Sequence, residues 1–334
     1  MKLDQLLTTI PQYQELVATL KPGTRQLVTG VGGSARTLLI DNLIHSTDKP
    51  TVVVVDSLFH ADQLVNDLSN LIDDDQLFEF PVEEMGAAEL ATSSPEYKAQ
   101  RVLALDKLAS GDPAVIVTSV SGIRRLVPEK KQFQAAKLTL EMDGTYDLEQ
   151  LKLQLHQMGY VFQKMVAAPG DFSIRGSILD IFPLNHQDPV RIDFFDTDVD
   201  SMRTFDVSNQ RSIKNIKSIT VLPATDLLMT DDQRKAVSKQ LSKRLIAEQS
   251  QLDDKAAKKL QGNLEPQIMD LQNGLSDPRW LLFADMIYKK QSSLLDYLAA
   301  DGVVIFDDYA RITETARQLE SDDDEWLNDK IKHY

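Results

Sequence analysis

The sequence predicts an α/β protein in which a parallel-sheet domain is joined to an antiparallel α+β domain and a helical subdomain. In the first third of the chain, short apolar runs rich in β-branched residues alternate with segments of helical periodicity, as in parallel sheets. In the middle third, short strands follow one another with turn residues between them, which is typical of antiparallel sheets. The last third is dominated by apolar residues at helical spacing.

The first domain is predicted to span residues 1–127 and to be completed by residues 295–320. Its apolar runs lack the alternation of half-buried strands, so helices should cover both faces of the sheet. Because helical segments separate successive strands, the sheet should be parallel. The expected strands are Arg25–Thr29, Thr51–Asp56, Leu77–Phe80, Ala114–Ser119 and Val303–Phe306, and the expected helices are Thr37–Ile44, His60–Leu71 and Glu96–Ala109.

The second domain is predicted at residues 128–223 and the helical subdomain at residues 224–294. Residues 83–98 fit either the first domain or the helical subdomain, and residues 321–334 should form an acidic C-terminal tail or linker. The expected strands of the second domain are Lys137–Met142, Asp171–Phe182, Val190–Phe195, Ser201–Phe205 and Ile216–Leu222, with a helix at Leu148–Met158. The expected helical segments that follow are Asp231–Gln261, Trp280–Tyr288 and Ser292–Ala300.

Composition excludes several classes of function. The 334 residues include no cysteine, which excludes disulfides, thiolate nucleophiles and cysteine-based zinc sites. No apolar run approaches the roughly 20 residues of a membrane helix, and the N-terminus does not resemble a signal peptide, so a cytoplasmic protein without membrane contact is expected. The net charge of −15 opposes broad binding to a polyanion, so any nucleic-acid contact would need a local basic patch.

This charge is unevenly distributed along the chain. Residues 128–223 hold 11 Lys+Arg and 13 Asp+Glu, a net charge of −2, and the remaining residues therefore hold −13. The second domain should thus be a nearly neutral surface on an acidic chain, where a partner protein could dock without strong repulsion.

A P-loop-like sequence follows the first expected strand. A P-loop reads G-x-x-x-x-G-K-[ST] between a strand and a helix, and residues 30–37 read GVGGSART. Gly30 and Thr37 match this pattern, whereas Ala35 replaces the second glycine and Arg36 replaces the lysine. The methyl group of Ala35 obstructs close approach of a phosphate, and the planar guanidinium of Arg36 differs in shape from an ammonium group.

An acidic pair, Asp307 and Asp308, ends the last expected strand, where an ATPase carries the residues that handle Mg²⁺ and water. The usual second residue is glutamate, and Asp308 is one methylene shorter. Taken singly, these features fit a glycine-rich turn and a solvated strand end, but together they indicate a degenerate nucleotide site without ATP hydrolysis. A divergent ATPase that uses Arg36, Thr37 and Asp307 is the alternative. The five histidines show no metal-ligand spacing, so no metal site is predicted.

Several blocks of sequence follow one another along nearly the whole chain. They are residues 118–123 (TSVSGI), 160–162 (YVF), 170–183 (GDFSIRGSILDIFP), 191–196 (RIDFFD), 201–206 (SMRTFD) and 294–298 (LLDYL) followed by VVIFDD. In sequence and in order, these blocks resemble UvrB and the bacterial transcription-repair coupling factor (Mfd) family. In UvrB an aromatic hairpin that probes DNA occupies the place of Glu83–Pro95, which is short and has no aromatic residue. This segment and the altered P-loop favour the coupling-factor family over UvrB.

The resemblance implies a layout and a function. Residues 1–127 would form a decayed RecA-like domain 1a, residues 128–223 a UvrA-interaction domain 2, and residues 224–294 a helical domain 1b. The chain would be the non-catalytic N-terminal part of a longer protein, which recruits UvrA to stalled RNA polymerase in nucleotide excision repair. RNA polymerase, DNA, ATP and Mg²⁺ would bind the C-terminal part, so no cofactor is expected here. A UvrB-like DNA-binding module is the remaining alternative.

The resemblance also suggests a UvrA-docking face in domain 2. UvrB carries arginine at three positions of the motif that here hold Phe162, Ser173 and Arg175, so only Arg175 is retained. Arginine and aromatic side chains often form the centre of a protein interface. Phe162 and Phe172 are expected to be exposed. The alternative for Phe172 and Phe182 is a place in the core of the sheet, and for Phe182 this alternative is favoured. The predicted docking residues are Arg175, Phe172, Ser173, Phe162, Tyr160 and Phe182.

Overall fold

The computed structural model describes residues 7–83, 94–274 and 278–333 and divides the chain into two compact units. The first unit comprises Met1–Leu126 and Ser293–Tyr334, and the second comprises Val127–Ser292. In chain order, the α-helices are α1 (Pro11–Thr19), α2 (Ser34–Thr47), α3 (Leu58–Leu68), α4 (Pro95–Ser110), α5 (Val120–Arg124), α6 (Lys130–Ala135), α7 (Leu148–Gln157), α8 (Asp231–Gln249), α9 (Asp254–Gln272), α10 (Ala284–Ile287) and α11 (Tyr309–His333), and 3₁₀ helices span Pro278–Phe283 and Leu294–Tyr297.

The strands in chain order are β1 (Thr51–Val55), β2 (Leu77–Phe80), β3 (Val115–Ser119), β4 (Leu138–Glu141), β5 (Val161–Phe162), β6 (Asp171–Arg175), β7 (Ile178–Ile181), β8 (Val190–Phe195), β9 (Asp198–Phe205), β10 (Ser212–Asn215), β11 (Ser218–Val221) and β12 (Val303–Phe306). Within the described ranges, no helix is long and apolar enough to cross a membrane.

The first unit contains a parallel sheet of four strands in the order β12–β1–β3–β2. Every residue of β1 and β3 is buried, which explains their unbroken apolar sequences. Helices α2 and α3 contribute Ile40, Ala61, Leu64 and Leu68 to the core on one face of this sheet. The predicted parallel α/β architecture is therefore confirmed for this part of the chain.

The segment Arg25–Thr29 is not a strand, which corrects the prediction for this segment. Its residues are exposed, including 83% of the Leu27 side chain. The Gln26 amide Nε2 donates to the carbonyl oxygen of Leu16 at 3.2 Å and to Thr19 Oγ1 at 3.0 Å, so α1 supplies the partners of this side chain. The P-loop-like segment is therefore preceded by an irregular stretch rather than by a strand of the sheet.

The second unit contains a mixed sheet of six strands in the order β10–β9–β8–β7–β6–β5. Pairing is antiparallel except between β5 and β6, which are parallel. The predicted strand Asp171–Phe182 is a hairpin, because Gly176 at φ +61° turns the chain between β6 and β7. A two-stranded antiparallel sheet of β4 and β11, together with α7, shares an apolar core with the large sheet.

The predicted helix Asp231–Gln261 is two packed helices, α8 and α9. The carboxylate of Asp253 accepts hydrogen bonds from the backbone N–H groups of Lys255 and Ala256, at 2.9 and 2.8 Å, and so begins a new helix. Residues 321–333 are helical and continue α11. Of the segment 83–98, residues 84–93 lie outside the described residues, and α4 begins at Pro95 in the first unit.

Candidate functional site

The P-loop-like segment leads into the N-terminus of α2. Gly30 and Gly33 have φ values of +79° and +56°, in the left-handed region where glycine is favoured. The backbone from Gly30 to Ala35 is exposed, whereas Thr37 is buried within the first turn of α2. The segment thus forms an open turn before a helix, without the preceding strand that a P-loop has.

Arg36 forms an ion pair with Asp307, with 3.3 Å between Arg36 Nη1 and Asp307 Oδ2. Asp307 follows β12 and is largely buried. Burial raises the pKa of the Asp307 carboxyl group; the positive charge of Arg36 lowers this pKa, and the carboxylates of Asp308 and Asp56 raise it further. The residue that replaces the P-loop lysine is therefore joined to the first residue of the acidic pair.

Asp308 adopts a left-handed backbone conformation and caps the last helix. Its φ is +62°, and its carboxylate accepts a hydrogen bond from the backbone N–H of Arg311 at 3.3 Å. This contact satisfies a free N–H group in the first turn of α11. Asp308 therefore has a structural role at the start of α11.

Two neighbours of this site, Asp56 and His60, are absent from the sequence-based prediction. Asp56 follows β1, which pairs with β12, and its Oδ1 lies 2.7 Å from His60 Nδ1. Asp56 could have been predicted here because it ends the buried-strand sequence TVVVVD. Parallel strands bring the residues after their carboxyl ends to the same edge of the sheet. Within the described ranges, no group of three or more histidine and acidic residues is arranged to hold a metal ion.

The second candidate site lies on the polar face of the six-stranded sheet. Ser173, Asp180, Arg191 and Arg203 occupy one cross-strand row from β6 to β9. The buried carboxylate of Asp180 accepts hydrogen bonds from Arg191 Nε at 2.7 Å and Arg191 Nη2 at 2.9 Å. Arg175 Nη2 donates to the same carboxylate at 2.5 Å, while 45% of the Arg175 side chain remains exposed.

Exposed apolar residues lie at the edge of the sheet formed by β5, which pairs with the beginning of β6. Phe162 is 44% exposed on the edge strand β5, and its ring packs edge-to-face on Phe172 with 5.6 Å between ring centroids. Val161 and Met165 are also exposed at this edge. We call Val161, Phe162 and Met165 the β5 patch. It provides apolar surface at the edge of the sheet, beside the first residues of β6.

Four of the predicted docking residues are buried. Phe172 is 0% exposed, so the expectation that it faces solvent is wrong; its position on β6 places it in the core between the sheet and α7. The Tyr160 hydroxyl donates to the carbonyl oxygen of Leu222 at 2.9 Å, and the Ser173 hydroxyl donates to that of Lys164 at 3.2 Å. Phe182 packs in a small apolar cluster, which confirms the alternative that it is a core residue. These four side chains position the surface and do not form it.

The network around Asp180 was missed at the sequence level. Asp180 and Arg191 come from different strands, and their pairing depends on the register set by the turn at Gly176 and by the β7–β8 connection. The signal was present as the alternation of apolar and charged residues in Val190–Phe195, which places Arg191 and Asp193 on one face.

Comparison with known proteins defines the class of the second unit. The sequence model of the UvrB interaction domain matches residues 138–227. This range includes Arg175, Phe162 and the hydrogen-bond network around Asp180. The chain therefore carries a domain of this class. The match covers the strands β4 to β11.

Along nearly its whole length the chain resembles transcription-repair-coupling factors, which confirms the resemblance drawn from the sequence blocks. It is 32% identical over 335 aligned residues, 99% of this chain, to the transcription-repair-coupling factor of Bacillus subtilis. It is 30% identical over 92% of its length to that of Staphylococcus haemolyticus, and 28% identical over the same share to that of Staphylococcus aureus. The chain spans only 28%, 26% and 26% of the lengths of these relatives.

Proposed function

We propose that this chain is the UvrA-recruiting region of a transcription-repair coupling factor and acts in nucleotide excision repair without catalysis of its own. The observation that carries this proposal is the UvrB interaction domain at residues 138–227, with its sheet and core complete. A domain shared with UvrB supports binding to the partner of UvrB, which is UvrA. RNA polymerase would be engaged by other parts of a longer protein, which would bring UvrA to stalled transcription.

Arg175 and the β5 patch form the docking centre in this proposal. Two contacts to the buried Asp180 side chain, from Arg175 and Arg191, fix the edge of the polar face before a partner binds. A side chain that is already ordered loses less conformational entropy on binding. Arg175 and Phe162, both exposed at this end of the domain, are of the residue types that dominate interface energetics.

The low charge of the domain supports docking of a large partner. Residues 128–223 carry a net charge of −2, whereas the remainder of the chain carries −13. Because like charges across an interface are unfavourable, the nearly neutral domain tolerates a wider range of partner surfaces than the rest of the chain.

The absence of ATP hydrolysis is also part of the proposal. Arg36 is paired with Asp307, so its guanidinium is engaged where a P-loop lysine would meet phosphates. Asp308 is used as a helix cap, and residues 25–29, which lead into the P-loop-like segment, do not form a strand. A divergent ATPase would need each of these residues released from its present partner.

Calorimetric titration tests this part of the proposal. We expect no heat of binding when Mg²⁺–ATP is titrated into the chain at millimolar concentration. The variant Ala35→Gly/Arg36→Lys restores the P-loop residues. Titrating it in the same way shows whether the segment can still bind nucleotide when these two residues match the P-loop pattern. Saturable binding by the wild-type chain, lost in Asp307→Ala, would support the divergent ATPase instead.

UvrA binding tests the docking centre. We expect the wild-type chain to bind UvrA and Arg175→Ala to bind at least about tenfold more weakly, as for a central interface arginine. Arg211→Ala is the matched control, because Arg211 is an exposed arginine of the same domain that precedes β10, at the opposite edge of the sheet. Equal losses in both variants would remove Arg175 from the interface.

A further inference from the structure

The helical hairpin of α8 and α9 has a charge pattern opposite to that of the whole chain. Residues 234–264 hold eight Lys+Arg and three Asp+Glu, a net charge of +5 in a chain of −15. Further acidic residues, at positions 231, 232, 265 and 270, lie towards the end of the hairpin that is remote from the α8–α9 turn. Glu248, Asp253 and Asp254 lie at the turn itself, so the excess positive charge lies along residues 234–244 of α8 and 255–264 of α9.

Exposed basic side chains lie on both helices of the hairpin, and we call them together the basic ridge. Its α8 lysines recur at every fourth position and so lie about 6 Å apart along the helix axis. They lie away from the buried residues Val237, Leu241 and Leu245 of the same helix. The ridge comprises Lys235, Lys239, Lys243, Arg244, Lys255 and Lys258, all exposed.

These cations have no carboxylate partner among the described residues of the protein. The ion pair recorded on α8 joins Arg234 to Asp231, and Arg234 is buried outside the ridge. The nearby carboxylate of Asp253 accepts hydrogen bonds from backbone N–H groups at the start of α9. A row of cations on rigid helices creates a positive potential that a polyanion can neutralise.

The composition of the hairpin favours a nucleic-acid backbone over a protein partner. Lysine is depleted from protein–protein interfaces, where aromatic anchors are enriched, yet lysine makes up five of the six ridge residues. Residues 231–272 contain no aromatic side chain, so stacking on the bases of a single strand is not available. Ile246 is exposed nearby, but single exposed apolar residues are common on protein surfaces.

We propose that the basic ridge binds the phosphate backbone of double-stranded DNA without reading base sequence. Duplex DNA carries about one charge per 1.7 Å of axis, so a row of lysines meets several phosphates in any orientation across it. Lysine offers a compact ammonium group and lacks the bidentate geometry with which arginine reads guanine. The choice of DNA over RNA rests on the proposed repair function.

The test is a salt titration of binding to a labelled duplex DNA of random sequence. The wild-type chain is compared with Lys239→Gln/Lys243→Gln/Lys258→Gln and with the matched control Lys131→Gln/Lys214→Gln/Lys217→Gln, which removes three exposed lysines elsewhere in the same unit. At about 50 mM salt, we expect the ridge variant to bind at least about tenfold more weakly and the control to change less than about twofold. The slope of log K against log salt should decrease in magnitude by about 3 for the ridge variant only.

Several results would overturn the proposal. These are undetectable duplex binding by the wild type at low salt, equal losses in the two triple variants, tighter binding to duplex RNA, or tighter binding of a polyglutamate peptide that the ridge variant loses. Circular dichroism of both variants excludes unfolding as the cause of a loss. The titration contains no UvrA, so its failure is separate from failure of UvrA binding, which the ridge variant should retain.

Discussion

The interior of the first unit changes the protonation of one side chain, that of Glu79. It lies on β2, and its Oε1 is buried without a hydrogen-bond partner among the described residues. Burial, and secondly the adjacent carboxylate of Asp62 on α3, raise the pKa of Glu79 to about 8. The folded protein therefore keeps a proton on Glu79 at neutral pH, when the unfolded chain has released it.

This protonation predicts a pH dependence of stability. A carboxyl group whose pKa is raised on folding makes the unfolding free energy fall as pH rises from its unfolded pKa, 4.5, to about 8. Glu79→Gln should therefore equal the wild type near pH 4 and exceed it by about 1–2 kcal/mol at pH 9, after allowance for solvent screening. Denaturant unfolding followed by circular dichroism at several pH values measures the difference.

Asp67→Asn is the control for this measurement, since it removes an exposed carboxylate from the same helix as Asp62. We expect its stability to follow the wild type at all pH values. A Glu79→Gln variant whose stability difference from the wild type does not change with pH would contradict the raised pKa.

At the residue scale, chemistry was easier to predict than exposure. The residues Arg36 and Asp307 were named from their motifs, and the structure joins them in one ion pair. Phe172, by contrast, was expected at the surface because it lies beside Arg175 in a motif. Alternation along β6 places it on the opposite face from Ser173, but which face is covered depends on α7, a partner from elsewhere in the chain.

At the element scale, buried strands and amphipathic helices were predictable because their patterns are local. Val303–Phe306 and Leu77–Phe80 were predicted with the bounds that the structure gives. The predicted strand Arg25–Thr29 failed, since five residues of strand propensity do not form a strand without pairing. The long helix 231–261 was misread because a single capping side chain, Asp253, divides a stretch whose helical periodicity continues.

The divided helix has a consequence for the proposed DNA contact. A single helix over residues 231–261 would spread its basic residues along about 45 Å. The turn before Asp253 instead folds the chain back, so that α9 packs against α8 and brings its exposed lysines to the same hairpin. The basic ridge is therefore a property of the helical hairpin and could not be read from charge counts alone.

At the scale of the whole molecule, the net charge of −15 conceals two regions of different charge, for which we propose different partners. The UvrB interaction domain is nearly neutral, and the helical hairpin within the same unit carries the basic ridge. The first unit has a parallel sheet and the Arg36–Asp307 ion pair. We propose partner recruitment for the second unit and a structural role for this ion pair of the first.

The most direct test of UvrA recruitment is competition between this chain and UvrB for UvrA, measured with labelled chain and increasing unlabelled UvrB. Because the match at residues 138–227 is to a UvrB interaction domain, we expect UvrB to displace the chain completely. Displacement should follow the affinity of UvrB for UvrA, and Arg175→Ala should be displaced at lower UvrB concentration. Two results would contradict the account. One is a stable complex in which UvrB and this chain are bound to the same UvrA binding site at once, and the other is no binding of the wild-type chain to UvrA.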